Sequence, residues 1–144
     1  MRHEGGCHCG GVRIAVEMPS DPRPHYCNCS MCAMKGSLAI DVPIAALTVL
    51  EGEELLGCYS FNTGVAKHWF CRKCGIHLFQ RLRSDPGKYG VNAVCFDGLG
   101  RYDFDALRVH DGANAHPQDT GKPTRLAGTI AYTKSGKGTP SPRT

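Results

Sequence analysis

Apolar and polar residues alternate with a period of two along several short stretches of this chain. Val12, Ile14 and Val16 interleave with Arg13, Ala15 and Glu17 directly after Gly10-Gly11, the pattern of a strand with one face buried. Leu38, Ile40 and Val42 repeat it. Ala46 to Leu50, Leu55 to Phe61, Val65 to Phe70, His77 to Arg83 and Lys88 to Cys95 bring the candidate strands to seven, parted by Gly, Pro, Asn or Asp. Helical periodicity is poor. A short turn of helix is expected at Pro43 to Leu47, where proline suits a first helical position, and another at Asp103 to Leu107. The pattern predicts a mainly β fold of antiparallel sheets with few, short helices.

Length and charge narrow the picture. The 144 residues fit one domain, expected over 1–132 because no linker or internal repeat divides them. Residues 133–144 read as a flexible basic tail carrying Lys134, Lys137 and Arg143. The start of the chain has no apolar leader and no run approaches the ~18 apolar residues of a membrane span, so a cytoplasmic protein with no membrane partner is expected. The net charge of +4 is mild and no basic run is interleaved with aromatics. Nucleic acid is therefore not an expected partner.

Nine cysteines need an explanation, and seven fall in three clusters: Cys7-His8-Cys9, Cys27-Asn28-Cys29-Ser30-Met31-Cys32 and Cys71-Arg72-Lys73-Cys74. In a reducing compartment such spacings point to metal ligation or catalysis before disulfides. Short C-x-C and C-x-x-C turns let one loop aim two sulfurs at one zinc ion, and glycines such as Gly10 and Gly75 suit them. Cys7, Cys9, Cys71 and Cys74 would complete a closed, structural four-cysteine site. Cys27, Cys29 and Cys32 would hold a second zinc through three ligands and leave one position open, as catalytic sites do. Alternatively Cys58, Cys95 or a histidine fills that position and both sites are structural. Three thiolates more than cancel the charge of Zn²⁺, so an ion held by them is a weak Lewis acid and hydrolysis is disfavoured. A soft site suits capture of a substrate thiol instead. No H-x-E stands near a P-C-x-x-C, which excludes a nucleobase deaminase, and no βαβ pattern surrounds Cys71 and Cys74, which argues against a thioredoxin.

With these clusters in order, Gly6 to Arg13, Cys27 to Cys32 with Lys35-Gly36, His68 to Gly75 and Tyr89 to Cys95 resemble the glutathione-dependent formaldehyde-activating enzyme family, particularly its centromere protein V-like branch. The resemblance covers about residues 5 to 115. It implies an Mss4-like fold of antiparallel sheets clamped by zinc, with the first and third clusters structural and the central trio meeting glutathione. The implied activity joins glutathione and formaldehyde into S-hydroxymethylglutathione, a carbon–sulfur lyase reaction run in reverse. Many members have His where this chain has Asn28. The branch also tends to carry an aromatic and a tryptophan around Asp-Gly-x-Asn, which His110-Asp111-Gly112-Ala113-Asn114-Ala115 lacks.

The remaining candidates are weighed individually. Cys58 is read as a small buried hydrophobe, and Cys95 as either a neighbour of the trio or a core residue. His68 and His77 are read as hydrogen-bonded structural residues, and Trp69, Phe70 and Phe79 as core. Lys35, Arg72, Lys73, Arg81 and Arg83 are available to grip the carboxylates of a thiol such as glutathione. The sequence thus points to a zinc enzyme acting on a glutathione-like thiol and a small aldehyde, with Cys27, Cys29 and Cys32 at the catalytic ion. The alternative is a non-catalytic zinc module that binds glutathione or a protein partner.

Overall fold

The computed structural model describes residues 1–136. Alternation becomes strand wherever it was expected: β2 (Arg13–Glu17), β4 (Ala39–Pro43), β5 (Leu47–Glu51), β6 (Leu56–Tyr59), β7 (Lys67–Cys71), β8 (His77–Arg81) and β9 (Lys88–Asn92). Four further strands complete the set: β1 (Arg2–Gly6), β3 (His25–Cys27), β10 (Ala106–His110) and β11 (Leu126–Ala131). The helices are α1 (Ser30–Lys35) and α2 (Pro117–Thr120). The turn expected at Pro43 to Leu47 is a single 3-10 turn, Ile44–Ala46. The one expected at Asp103 to Leu107 does not form a helix, because Ala106 and Leu107 are drawn into β10 by pairing with β11.

The strands form a three-stranded sheet, β1-β2-β5, and an eight-stranded sheet in the order β11-β10-β3-β4-β9-β8-β7-β6. The chain crosses from the large sheet to the small one between β4 and β5 and returns between β5 and β6. The pairings are antiparallel except β3 with β10, which run parallel with His25 opposite Arg108 and Cys27 opposite His110. Ile14 and Val16 of the small sheet, Ile40, Leu78 and Val91 of the large one, and Val12 and Leu38 just before β2 and β4 are at most 4% exposed and belong to one hydrophobic cluster. Each contributes about 1.5–3 kcal/mol by leaving water.

Cys58 departs from the expectation. It is exposed, on β6 at the outer edge of the large sheet. Cys95 lies in the core, its Sγ 3.6 Å from the His77 carbonyl oxygen. Trp69 stacks on Phe79 at 5.0 Å and meets Tyr89 edge-on at 5.7 Å. No helix among the described residues is long and apolar enough to cross a membrane. Most of the tail expected over 133–144, from residue 137 onward, lies outside the described residues.

Candidate active site

Two turns bring four sulfurs together. After β1, the Gly10 amide donates to the Cys7 carbonyl at 3.1 Å, and after β7 the Gly75 amide donates to the Cys71 carbonyl at 2.8 Å. Gly10 and Gly75 sit at φ 76° and 77°, which glycine adopts without a steric cost. The Val12 and Gly11 amides point at the sulfurs of Cys7 and Cys9, at 3.3 and 3.4 Å. The Sγ atoms of Cys7, Cys9, Cys71 and Cys74 all lie within 4.8 Å of one another, with 3.5 Å from Cys7 to Cys9 and 3.7 Å from Cys9 to Cys71. Sulfurs placed ~2.3 Å from a tetrahedral ion stand about 3.8 Å apart, so the set fits a metal ion of zinc's size.

Cys27, Cys29 and Cys32 form a second group, also within 4.8 Å of one another. Cys27 ends β3, and Cys29 caps α1, its sulfur accepting from the Cys32 amide at 3.4 Å. The thiols of Cys27 and Cys32 donate to Cys29 and hold it down to about 2 against the effect of burial, with the Cys32 amide and the Lys35 charge assisting. Cys32 is pushed upward by the same hydrogen bonds and by burial.

A loop without cysteines closes one side. Asn28 donates through Nδ2 to Asp111 Oδ1 at 3.1 Å and accepts at Oδ1 from the Ala113 amide at 2.9 Å. Asp111 also accepts from the Asn114 amide at 3.2 Å and from Arg125, whose guanidinium holds its carboxyl below the ordinary range. Gly112 packs against the sulfurs so closely that a Cβ there would lie 2.5 Å from Cys27 Sγ. The Asp-Gly-x-Asn turn is visible in the sequence, whereas its bond to Asn28, 83 residues away, exists only in the fold.

The trio borders a cleft of about 470 Å³, whose walls include His25, Asp41, Phe61, His68, Gln80 and Arg81. The ring of His25 stacks on His110 at 3.9 Å, and burial pulls its pKa down to about 4. Lys35 reaches across to His68 Nδ1 at 2.9 Å and to Gln80 Oε1. Burial lowers its pKa to about 8 against the pull of the three sulfurs, so it remains an ammonium at neutral pH. Gln80 Nε2 lies 3.9 Å from Cys32 Sγ.

Of the expected carboxylate grips, Arg81 and Arg83 line the cleft. Arg83 already holds Asp119 of α2 through two bonds of 3.2 and 3.3 Å, whereas Arg81 Nε is buried without an acceptor. Arg72 bonds instead to the Glu54 carbonyl oxygen, and neither it nor Lys73 lines the cleft. Among the described residues, Cys58, Cys95 and the histidines join neither sulfur group.

A mainly β chain with two sulfur groups able to hold metal ions, one of them beside a cleft, defines a class of small metal-site β protein. Residues 2–111 match the family described as glutathione-dependent formaldehyde-activating enzyme, and the chain belongs to that family. A protein of Phaeosphaeria nodorum, provisionally named for that activity, is 31% identical over 93 residues, which is 61% of this chain and 48% of its own length. One of Halomonas elongata with the same name is 34% identical over 87 residues, 55% of each chain. An uncharacterized lyase of Schizosaccharomyces pombe is 26% identical over 109 residues, 72% of this chain and 75% of its own. A Rhodobacter sphaeroides protein of known crystal structure is 42% identical, with a TM-score of 0.66 over 69% of this chain and 93% of the other. The chain spans about half the length of the first curated relatives it matches.

Proposed function

We propose that this protein joins glutathione, or a similar small thiol, to formaldehyde or a small aldehyde, forming an S-hydroxyalkyl thiol adduct and, in reverse, cleaving its carbon–sulfur bond. The observation that carries this reading is a trio of cysteines at the wall of a cleft, with no fourth cysteine or histidine in ligating reach among the described residues. In this reading Cys7, Cys9, Cys71 and Cys74 hold a structural zinc ion, and Cys27, Cys29 and Cys32 hold a second one with an open position. A soft ion in such a site supplies capture of a substrate sulfur as its thiolate at neutral pH.

The chain's own residues then orient the thiol. Glutathione carries two carboxylates, and the guanidinium of Arg81 on the cleft wall, whose Nε has no acceptor, is the grip for one of them. The Asn28–Asp111 clamp fixes the wall beside Cys27, and the ligand sulfur meets the trio from the cleft lined by His68 and Arg81.

Exchange NMR of a glutathione and formaldehyde mixture tests the proposal. Catalytic amounts of protein should broaden or cross-saturate the free and adduct resonances well beyond the uncatalysed exchange, and S-methylglutathione should bind far more weakly than glutathione. No acceleration even at stoichiometric protein would refute it.

A further inference from the structure

His68 carries an unsatisfied group in the wall of the same cleft. It is 5% exposed and its Nε2 has no hydrogen-bond partner. The other ring nitrogen, Nδ1, faces Lys35 Nζ at 2.9 Å. An ammonium has only protons to offer, so Nδ1 accepts and the ring proton sits on Nε2. Lys35 is itself fixed by Gln80 Oε1, and Gln80 Nε2 turns to Cys32 Sγ at 3.9 Å. The three side chains connect the sulfur trio to one buried N–H that lacks an acceptor, and leaving such a donor unmet costs about 1–3 kcal/mol. A ligand atom that accepted from it would remove that cost.

Resting on the thiol and aldehyde reading above, we propose that His68 Nε2–H is the hydrogen-bond donor for the aldehyde oxygen, with Lys35 as the positioning residue that fixes its tautomer. As the substrate sulfur, its S–H proton released to solvent, attacks the carbonyl carbon, the C–S bond forms and the C=O π pair moves onto oxygen. His68 holds that oxygen while it is anionic, and it then takes a proton from water. One thiol and one aldehyde give one adduct with no net change in protons. The ring is suited to this as a neutral donor, since burial, and after it the Lys35 charge, lowers its pKa to about 4. Phe61, stacked on it at 6.0 Å, covers the ring.

Removing a donor of this kind costs about 10²–10³ in turnover. His68→Leu should therefore lower the exchange rate about a hundredfold while glutathione affinity, read by calorimetry, stays within about twofold. His68→Gln, which keeps an N–H, should recover part of the rate. Lys35→Met should lower turnover about tenfold and Lys35→Arg should restore it, a comparison that stands if His68→Leu fails to fold. Wild-type turnover in His68→Leu, or a loss of rate matched by an equal loss of thiol affinity, overturns the assignment. Failure of the wild-type protein to accelerate the exchange refutes the underlying reaction instead.

Discussion

The two sulfur groups differ most in what they tie together. Cys9 and Cys71 are 62 residues apart, Cys9 in the turn after β1 of the small sheet and Cys71 at the end of β7 of the large one. An ion held by Cys7, Cys9, Cys71 and Cys74 would therefore close nearly half the chain into a loop and pin the small sheet to the large one. By the chain-entropy relation for cross-links, closing a loop of about 62 residues limits the unfolded chain by about 4 kcal/mol, and closing the short loop from Cys27 to Cys32 by about 2 kcal/mol. A domain of this size has 5–15 kcal/mol in all. Cys74→Ser should remove the first contribution and leave the Cys7, Cys9 and Cys71 sulfurs facing one another without their ion. It should lower the melting temperature by at least ~10 °C or yield insoluble protein. Cys29→Ser should stay folded with about one zinc equivalent fewer and no thiol exchange. Circular dichroism melts paired with metal analysis read both. A folded, stable Cys74→Ser beside an unfolded Cys29→Ser would show that the structural and functional roles are reversed.

Gly112→Ala would set a methyl 2.5 Å from Cys27 Sγ, so one metal equivalent and the thiol exchange should be lost, whereas Gly128→Ala, with nothing within 4 Å, should change neither; equal behaviour of the two variants would contradict the role given to the loop. Arg81→Met should weaken glutathione binding about tenfold, because a charged hydrogen bond is worth about 1.5–3 kcal/mol, and Arg83→Met should weaken it less, since Asp119 already occupies that guanidinium; calorimetry in which Arg83 proves the larger contributor would reverse the assignment. His25 is held at about 4 when folded against 6.5 when free, so the unfolded chain binds the extra proton as pH falls below 6.5 and stability drops by about 2 kcal/mol by pH 5. His25→Phe should flatten that stretch of the curve in urea titrations between pH 7 and 5, and parallel curves for the two proteins would refute the linkage.

Seven strands were legible from alternation in the sequence, which β4 and its lead-in convert into alternate burial, Leu38, Ile40 and Val42 being 0, 4 and 1% exposed, whereas β2, β8 and β9 bury three consecutive residues each. β1 was not, since Arg2-His3-Glu4-Gly5-Gly6 has no apolar residue and becomes a strand only by pairing along β2. β11 is exposed almost throughout, so burial imposes no pattern on it. In β10 the alternation of Leu107 and Val109 was present but was missed beside the turn residues from Asp103 onward. The grouping of the seven cysteines could be read because short spacing and ligand count are local constraints. The wall of the site could not: Asn28 and Asp111 stand 83 residues apart, and only the folded sheet makes them neighbours.

That neighbourhood depends on the parallel ladder. β3 and β10 place Cys27 beside His110, and the Asn28 amide continues the contact by donating to the His110 carbonyl at 3.0 Å. The next two residues of β10's exit, Asp111 and Gly112, are thereby delivered to Asn28 and to the Cys27 sulfur. A parallel pair requires a long connection, and here that connection comprises β4 to β9, the strands that carry His68, Gln80 and Arg81. A one-residue slip of β3 would turn the Cys27 sulfur to the opposite face of the sheet, away from Gly112 and the rest of the trio. The single parallel pairing among the described residues therefore sets the geometry of the trio. The three cysteines group by local spacing, while the sheet around them decides which residues stand against their sulfurs.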